Sequence, residues 1–403
     1  MDLSIIVVNY NVRYFLHLCL ESLQAATRDL HSEIIVVDNA SGDGSTTMIR
    51  EQFPSIHLIP NSENVGFGRA CNQGLDVARG RYILFVNPDT MMGETLLYKA
   101  LAVFDGDRKI GAVGVCLLDG NGEILPESKR SIPTLWSGFT KFSGLSDVFP
   151  RIPLFNGYYA PGIDYDQTGD IEVLPGAFML IRKSVLEEIG GFDPRFFMYA
   201  EDIDLSYRIT RAGYAIRYVG SLHVVHFKGE STQKSEKTYT STFFHSMRLF
   251  IQKYRNELYA PPVAWMLDKV VATIQRIQNI RKQIRPSRAS TRTASFPSHL
   301  AILSGKSRIE EVLRTQFNTP DWEIIPDEGS GEAPFYLRYA PAYLSTHADS
   351  AVMVDFRSMS FDQIVQLWKI PKRPPIYLVD GSHAYIISSQ NKEKQGEVHT
   401  FTL

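Results

Sequence analysis

The sequence is poor in cysteine and has no long apolar run. Only 3 of its 403 residues are cysteines, too few and too widely spaced for a disulfide framework, so we expect a chain kept in a reducing compartment. Nowhere do about eighteen apolar residues follow one another, so no segment is expected to span a bilayer. The apolar run 3–8 is too short for a signal-peptide core, and no cleavage site follows it. We therefore expect a cytoplasmic protein whose first apolar run is a buried strand.

A surplus of positive charge is also lacking. Lys and Arg number 42 against 44 Asp and Glu, which gives a formal net charge of -2. Since binding to phosphate backbones needs a basic surplus, no nucleic-acid partner is expected. Hydrophobic residues make up 44% and aromatic residues 11% of the chain, which excludes a disordered or fibrous protein. At roughly 150 residues per domain, the length predicts two or three domains.

The first 120 residues alternate short β-branched apolar runs with segments of helical periodicity. This pattern predicts an α/β fold with a mostly parallel central sheet and flanking helices. Because the apolar runs are nearly continuous, the strands are expected to be buried on both faces, with ligands at their carboxyl ends. The predicted strands are 3–8, 33–37, 56–59, 82–86 and 112–117, and the predicted helices are 12–26, 45–53, 66–78 and 94–104.

An irregular segment, 119–170, separates this region from a second set of predicted elements. The segment is rich in Pro, Gly and aromatic residues, and such long loops are usually functional, so it is predicted to form a lid or a wall of a binding site. The elements predicted after it are strands at 171–174, 177–181, 216–219 and 223–227 and a helix at 201–212.

Polar residues follow four of the predicted strands. Each group alone is typical of an ordinary turn, but four groups at one edge of a sheet indicate a ligand site. They are Asn9-Tyr10-Asn11, Asp38-Asn39-Ala40-Ser41, the segment from Asn64 to Asn72, and Asn87-Pro88-Asp89.

With these motifs the sequence resembles family 2 of the glycosyltransferases, the inverting enzymes with the GT-A fold, and within it the rhamnosyltransferase-like branch that makes cell-surface polysaccharides. The resemblance covers about residues 1–255 and implies a GT-A nucleotide-diphospho-sugar transferase fold there. The motifs that carry it are Ser4–Asn11, Ile34–Ser41, Asn64–Gly68, Asn87–Asp89, Leu174–Ala177, Tyr199–Leu205 and His226–Ser231.

The resemblance implies a pyrimidine nucleotide in the site. Asp38 matches the position whose carboxylate accepts a hydrogen bond from the pyrimidine ring. A carboxylate suits the imide N–H of uracil or thymine but would meet only acceptor positions at that edge of cytosine, so the expected donor is a dTDP- or UDP-sugar, dTDP-rhamnose among them. The remaining residues expected to bind the nucleotide are Asn9 and Tyr10 at the base, Asn64, Arg69, Asn72 and Asn87 near the ribose or diphosphate, and Gly66 and Gly68, which permit close backbone approach.

A divalent metal, Mn²⁺ or Mg²⁺, is also implied. Asn87-Pro88-Asp89 corresponds to the metal-binding Asp-x-Asp of the family, with the first Asp replaced by Asn. Such ions usually reach a diphosphate through only one or two protein carboxylates, so Asp89 is sufficient. His226 matches the family histidine that completes the site, and Mn²⁺ accepts imidazole.

The acid cluster Glu201-Asp202-x-Asp204 is the candidate for the chemistry. By resemblance Asp202 is the general base that deprotonates the acceptor hydroxyl, and Glu201 orients the acceptor. Asp204 is expected to pair with Arg208, four residues on in the helix. The alternative is that these acids only stabilise a helix N-terminus. Gly176 and Tyr199 are expected at the acceptor, Tyr199 as part of the aromatic run 196–199.

The sequence therefore predicts inverting transfer of a sugar to a saccharide or lipid-linked saccharide in cell-surface polysaccharide synthesis. Two alternatives stay open. A nucleotidyltransferase has a similar sheet but needs a Gly-rich, basic loop after the first strand, where this chain has Asn9-Tyr10-Asn11. A nucleotide-sugar-binding scaffold with a decayed site is allowed by Asn87.

The remaining chain divides into a helical connector with a basic linker, 256–297, and a small α/β domain of unknown role, 298–403. From Lys269 to Arg292 all charges are positive, which fits either a solvated helix face or peripheral contact with the inner face of a membrane. Ser304-Gly305-Lys306-Ser307 resembles a phosphate loop but lacks its first glycine, so a regulatory or partner-binding module is the favoured interpretation. The oligomeric state is not predicted.

Overall fold

A computed structural model describes residues 1–132, 159–160, 162–227 and 236–258 of the N-terminal part. In the C-terminal part it describes 299–303, 321–325, 350–356, 360–369, 376–380, 385–388 and 397–400. The basic stretch that begins at Lys269 and the Ser304–Ser307 motif lie outside these residues, as does much of the irregular segment. None of the helices within these ranges is both long and apolar enough to cross a bilayer.

The N-terminal part is built around a nine-stranded sheet, counted over the described residues, in the order β3-β2-β1-β4-β8-β6-β9-β5 with β7 added beside β9. The strands are β1 (Leu3–Asn9), β2 (Ser32–Asp38), β3 (His57–Pro60), β4 (Tyr82–Val86), β5 (Thr90–Met92), β6 (Ile110–Leu118), β7 (Thr168–Ile171), β8 (Phe178–Arg182) and β9 (Ala215–His226). The helices are α1 (Arg13–Ala26), α2 (Ser45–Gln52), α3 (Phe67–Val77), α4 (Leu96–Ala102), α5 (Lys183–Ile189), α6 (Glu201–Arg211) and α7 (Glu236–Leu258), with a 3₁₀ turn at Pro126–Ser128.

The predicted α/β class, with helices flanking a central sheet, is confirmed. In β1, Leu3, Ile5 and Val7 join one hydrophobic core, while Ile6 and Val8 join the other. Alternate side chains thus enter cores on opposite faces of the sheet, as a strand buried on both faces requires. Strands β1 to β4 are mutually parallel, so the ends of these strands meet at one edge.

The second half of the sheet is mixed rather than parallel. Strand β8 runs antiparallel to both of its neighbours, β4 and β6. An apolar run that is buried on both faces has the same composition in either direction, so the sequence did not indicate the reversal. The predicted strands 216–219 and 223–227 are one strand, β9, whose register with β6 shifts between Val219 and His223. This shift accommodates Gly220 and Ser221, which look like a turn in the sequence.

All three cysteines are free and buried. Burial raises the pKa of the Cys19 thiol to about 12 and that of Cys71 well above its usual range. Since the thiolate is the reactive form, these residues contribute to the core and not to chemistry.

A second, six-stranded sheet lies in the C-terminal part, again counted over the described residues, with the order β11-β10-β12-β13-β14-β15. Its elements are β10 (His299–Leu303), β11 (Asp321–Ile325), β12 (Ser350–Asp355), α8 (Phe361–Trp368), β13 (Ile376–Asp380), β14 (Tyr385–Ser388) and β15 (Glu397–Thr400). Helix α8 begins with a capping box between Ser360 and Gln363. This helix packs on β5 and β9 of the first sheet.

Candidate active site

The ends of β1 and β2 form a buried polar pair. Asn9 and Asp38 lie opposite each other in the parallel register and are almost fully buried. Asn9 Nδ2 donates to Asp38 Oδ2 at 2.7 Å, and the backbone N–H of Ser41 donates to Asp38 Oδ1 at 2.8 Å. Asn9 Oδ1 is buried without a hydrogen-bond partner among the described residues. Tyr10, next to this pair, is exposed. The residues predicted to bind the base therefore lie together, and Asn9 Oδ1 can still accept a hydrogen bond.

The loop before α3 is folded tightly against the segment that leads to the acid cluster. Gly66 has a φ of +88°, and a Cβ atom on it would lie 2.7 Å from the carbonyl oxygen of Phe197. The same carbonyl accepts a 2.9 Å hydrogen bond from the N–H of Phe67. Asn64 Oδ1 accepts from the N–H of Gly66 at 3.0 Å. Glycine at position 66 is therefore required by both backbone conformation and space.

Two residues predicted at the ribose or diphosphate hold the loop that precedes α6 instead. Asn72 Nδ2 donates to the carbonyl of Phe192, and Asn72 Oδ1 accepts from the N–H of Phe192, each at 2.8 Å. Arg69 Nε donates to the carbonyl of Pro194 at 3.2 Å. The structure gives both side chains a packing role, and nucleotide contact by them stays a prediction without a geometric observation behind it.

Asn87, Asp89 and His226 come together at the ends of β4 and β9. His226 Nε2 lies 3.3 Å from Asp89 Oδ1 and 3.3 Å from Asn87 Nδ2. The pairing of β5 with β9 places Thr90 opposite His226, and Phe227 N donates to the Asp89 carbonyl at 2.9 Å. The His226–Asp89 contact is within ion-pair distance but lacks hydrogen-bond geometry. The buried Asp89 Oδ1 therefore has no hydrogen-bond partner in the described ranges.

Asp89 and His226 together offer two ligands for a divalent ion. No group of three or more His, Cys, Asp or Glu side chains placed to hold a metal occurs among the described residues. The third side chain in contact, Asn87, is an uncharged amide. A carboxylate oxygen that is buried without a partner and faces an imidazole nitrogen is nevertheless suited to a cation, and a nucleotide diphosphate can supply further oxygen ligands.

The acid cluster opens α6 after two residues with left-handed backbone. Tyr199 and Ala200 have φ values of +69° and +64°. Such conformations cost free energy for non-glycine residues and tend to occur at functional sites. The ring of Tyr199 packs edge-on against Phe243, 5.9 Å between centroids. Glu201 and Asp202 follow this turn and have different surroundings.

Asp202 is held by charge and by backbone. Its Oδ2 accepts from Arg130 Nη2 at 2.5 Å and from the N–H of Gly176 at 3.2 Å. Its Oδ1 accepts from the N–H of Ile203 at 2.8 Å. Arg130 also donates to the carbonyl of Leu174 at 2.7 Å. Sequence reasoning missed Arg130, because it lies in the aperiodic segment where no motif marks it.

Glu201 is buried, and its Oε2 has no hydrogen-bond partner among the described residues. Burial and, second, the negative charge of Asp202 raise the pKa of Glu201 to about 8. Since Asp202 has a guanidinium partner and Glu201 Oε2 has no hydrogen-bond partner among the described residues, we assign the proton to Glu201 at neutral pH. A neutral Glu201 can donate a hydrogen bond, which an ionised one cannot.

The prediction that Asp204 pairs with Arg208 is confirmed. Arg208 Nε donates to Asp204 Oδ2 at 2.9 Å. The other oxygen of this fully buried carboxylate accepts from Lys253 Nζ at 2.5 Å and Tyr254 Oη at 2.7 Å, both on α7. These donors satisfy the buried charge and fix α6 against α7. Lys253 and Tyr254 were also missed, since residues about fifty positions away carry no sequence signal of this contact.

The strand ends thus bear buried polar groups, a carboxylate–imidazole pair and a carboxylate held by arginine, an arrangement suited to a group-transfer enzyme. Residues 4–190 match glycosyl transferase family 2. The chain is thus a glycosyltransferase, and the match to the family lies within its N-terminal part.

Similar proteins include two rhamnosyltransferases. The N-acetylglucosaminyl-diphospho-decaprenol L-rhamnosyltransferase of Mycobacterium tuberculosis is 28% identical over 297 residues, which are 71% of this chain and 95% of that protein. Rhamnosyltransferase WbbL of Escherichia coli is 29% identical over 232 residues, 55% of this chain and 82% of that protein. The solved mannosyltransferase PcManGT of Pyrobaculum calidifontis, in complex with GDP-Man and Mn²⁺, is 16% identical with a TM-score of 0.46, covering 71% of this chain and 76% of that one.

Proposed function

We propose that this glycosyltransferase moves an L-rhamnosyl group from a pyrimidine nucleoside diphosphate to a lipid-linked saccharide, with inversion at the anomeric carbon. One observation carries the proposed meeting of donor and acceptor. The consecutive residues Gly176 and Ala177 link the metal candidate to the base candidate, since Asn87 N donates to the Ala177 carbonyl at 3.3 Å and Gly176 N donates to Asp202. The donor diphosphate and the acceptor hydroxyl would therefore meet at this short segment.

The choice of a pyrimidine donor rests on Asn9 and Asp38. Asn9 Nδ2 already donates to Asp38 Oδ2 and to Ser41 Oγ, which leaves the unpartnered Asn9 Oδ1 and the remaining lone pairs of the Asp38 carboxylate as acceptors. Two acceptors side by side suit a base edge that carries a donor, such as the imide N–H of thymine or uracil. The names of the two rhamnosyltransferase relatives supply the sugar in this proposal.

Asp89 and His226 would hold the divalent ion, Mn²⁺ or Mg²⁺. When bound, such an ion neutralises charge that develops on the leaving diphosphate. Asn87 replaces the first carboxylate of the motif, so the protein itself contributes one negative ligand. We infer that the donor diphosphate contributes the remaining charge and that metal and donor bind together.

Asp202 would remove the proton from the acceptor hydroxyl. Oδ2 already accepts from Arg130 and Gly176, whereas Oδ1 accepts only from the adjacent backbone N–H. Each carboxylate oxygen has two lone-pair directions, so Oδ1 is the oxygen with capacity for the proton. The deprotonated hydroxyl then attacks the anomeric carbon opposite the diphosphate, and a single displacement inverts the configuration. The exposed ring of Phe197, four residues before Glu201, offers an apolar wall to the acceptor.

A lipid-linked acceptor requires the enzyme to work at a membrane surface. The M. tuberculosis relative is named for such an acceptor, a decaprenol diphosphate that carries N-acetylglucosamine. The all-basic stretch from Lys269 to Arg292 is suited to anionic headgroups. We propose peripheral contact of this stretch with the inner face of the membrane.

The test is turnover by the full-length chain with polyprenyl diphosphate N-acetylglucosamine as acceptor. We expect nucleoside diphosphate release from dTDP-rhamnose or another dTDP- or UDP-sugar in the presence of Mn²⁺, and none from GDP-mannose. Asp202→Asn should lower kcat roughly 10²- to 10⁴-fold, the usual contribution of a general base. Asp105→Asn is the matched control, because Asp105 is an exposed carboxylate after α4.

Three results would contradict this assignment separately. Equal release by wild type and Asp202→Asn would refute the base. A product that retains the anomeric configuration of the donor, measured by NMR, would refute the single displacement. No turnover of any pyrimidine donor by the wild type would favour a binding scaffold.

A further inference from the structure

A very short ladder holds the sheet edge that carries Asp89 and His226. Strand β5 is the last in the strand order and pairs with β9 over three residues, Thr90–Met92 against Val224–His226. Among the described residues no other strand pairs with β5. Short edge ladders have few hydrogen bonds to hold them. The separation of Asp89 and His226 therefore depends on the elements that pack against β5, which are α1, whose Ser22 Oγ accepts from the N–H of Met92 at 3.4 Å, and a helix of the C-terminal part.

Helix α8 of the C-terminal part covers this edge, and its first turn is bound by the loop after β5. Glu94 Oε1 accepts from the N–H of Phe361, and Glu94 Oε2 accepts from the N–H of Asp362, each at 2.6 Å. A carboxylate that satisfies two N-terminal amides also interacts favourably with the helix dipole. Both oxygens of Glu94 are thus engaged by α8.

The contact is reciprocal. Asp362 Oδ2 accepts from the N–H of Thr95, the residue before α4, at 3.2 Å. Each of the two helices is therefore capped by a carboxylate from the other part of the chain. A Cβ atom on Gly93 would overlap the side chain of Asp362, so glycine at this position allows the close approach.

The other end of α8 reaches the residue that follows His226. Trp368 is buried, and its ring meets that of Phe227 edge-on, with centroids 6.3 Å apart and planes at 88°. Trp368 Nε1 donates to the carbonyl of Gly120 at 3.2 Å. Helix α8 therefore extends from the loop after β5 to the end of β9, across the strand that follows Asp89 and the strand that ends at His226.

We propose that helix α8 is a positioning element of the active site, through which the C-terminal domain holds β5 and β9 in register and sets the spacing of Asp89 and His226 for the metal. This inference rests on the proposed function, because it takes that pair as the metal site. Glu94 and Trp368 are its positioning residues, and neither touches a reacting group. It gives the C-terminal domain a purpose that its own sequence motifs do not indicate.

The experiment compares full-length variants at the two ends of α8. Glu94→Ala removes both capping oxygens, and Glu94→Gln retains one. Trp368→Phe keeps an aromatic ring but loses the N–H donated to Gly120. The controls are Gln366→Ala, on the exposed face of the same helix, and Glu51→Ala, an exposed glutamate of α2. Two quantities are measured: amide hydrogen exchange of Thr90–Met92 and Val224–Phe227 in metal-free protein, and Mn²⁺ affinity by electron paramagnetic resonance.

We expect Glu94→Ala to accelerate exchange in both segments and to weaken Mn²⁺ binding roughly tenfold or more, the usual effect of losing a group that orients metal ligands. Glu94→Gln should recover part of the affinity, and Trp368→Phe should weaken it in the same direction. Both controls should match the wild type in both measurements.

Variants that match the controls in both measurements would overturn the inference. Faster exchange with unchanged Mn²⁺ affinity would also overturn it, since α8 would then only add stability. If the wild type binds no Mn²⁺ with or without donor, the metal assignment of the proposed function fails and this inference fails with it. This outcome can be distinguished from the two outcomes above, because in those the wild type binds Mn²⁺.

Discussion

Arg130 Nη2 donates to Asp202 Oδ2 at 2.5 Å, and both side chains are largely buried, with 10% and 14% of their surfaces exposed. Arg130 is anchored in turn by the carbonyl of Leu174. The carboxylate is thus held on one side by a fixed cation. Oδ1 accepts only from the N–H of Ile203, so the ion pair orients Asp202 and leaves this oxygen for the proposed proton transfer.

The first prediction concerns this ion pair. Arg130→Ala should lower kcat about 10²-fold, because misplacing a reacting group by about 1 Å has an effect of that size. The KM for the donor should stay near the wild-type value, since the nucleotide candidates Asn9 and Asp38 do not contact Arg130. Arg130→Lys should restore only part of kcat, because an ammonium cannot reproduce the geometry of the guanidinium.

Arg211→Ala is the control for Arg130→Ala. Arg211 lies in the last turn of α6, the helix that carries Asp202, and its side chain is 58% exposed in an ion pair with Glu257. If Arg130→Ala and Arg211→Ala have the same kcat, Arg130 does not position the base.

The second prediction concerns the proton on Glu201. Its pKa in the folded protein, about 8, lies above its ordinary value of 4.5, so the native state binds this proton more tightly than the unfolded state. The contribution of Glu201 to stability is therefore complete below about pH 4.5 and is lost as the pH rises through about 8. Glu201→Gln mimics the protonated form and should not show this loss.

Thermal unfolding between pH 5 and pH 9 tests the assignment. Glu201→Gln and the wild type should have similar melting temperatures at pH 5, and the variant should melt at least about 2 °C higher at pH 9. Glu51→Gln, at an exposed position of α2, should follow the wild type throughout. A difference between Glu201→Gln and wild type that does not change with pH would show that Glu201 is not the protonated group.

The first half of the fold could be predicted from the sequence because local pattern determines it. The apolar run that predicted a strand at 82–86 is β4 at the same bounds, and the helix predicted at 201–212 is α6. Strand β5 could not be predicted, because three residues carry no periodicity. The antiparallel course of β8 depends on its neighbours in space and not on its own composition.

The candidate site, like the fold, could be predicted from the sequence only in part. The resemblance to the family predicted Asn9 with Asp38 and Asp89 with His226, and both pairs lie close together in the structure, the first through the register of β1 with β2 and the second through the pairing of β5 with β9. Arg130, Lys253 and Glu94 could not be found, since each acts on a partner that is more than forty positions away in the sequence. The left-handed backbone at Tyr199 and Ala200 was also hidden, because neither residue type favours it.

The third prediction separates space from backbone strain at Gly66. Gly66 and Gly190 have matching backbone conformations, with φ/ψ of +88°/165° and +81°/163°, but a Cβ on Gly66 would strike Phe197, whereas one on Gly190 meets nothing within 4 Å. Both alanine variants should lose about 1–3 kcal/mol of stability, because this backbone region is essentially restricted to glycine. Gly66→Ala should lose more and should also lower kcat/KM, because Phe197 leads into the acid cluster. Equal stability losses in urea unfolding, with full activity in both, would contradict the contact.

The last prediction concerns the single carboxylate of the metal candidate. Asn87 Nδ2 lies 3.3 Å from His226 Nε2 and supplies no charge to the site. Asn87→Asp adds a second negative ligand beside Asp89, so it should raise the affinity for Mn²⁺ in the absence of donor. Asn61→Asp, an amide replaced near α3 and away from this site, should leave the affinity unchanged. The measurement is free Mn²⁺ by electron paramagnetic resonance during titration. An unchanged affinity in Asn87→Asp would mean that position 87 does not face the metal, and the site would then have to be assigned without it.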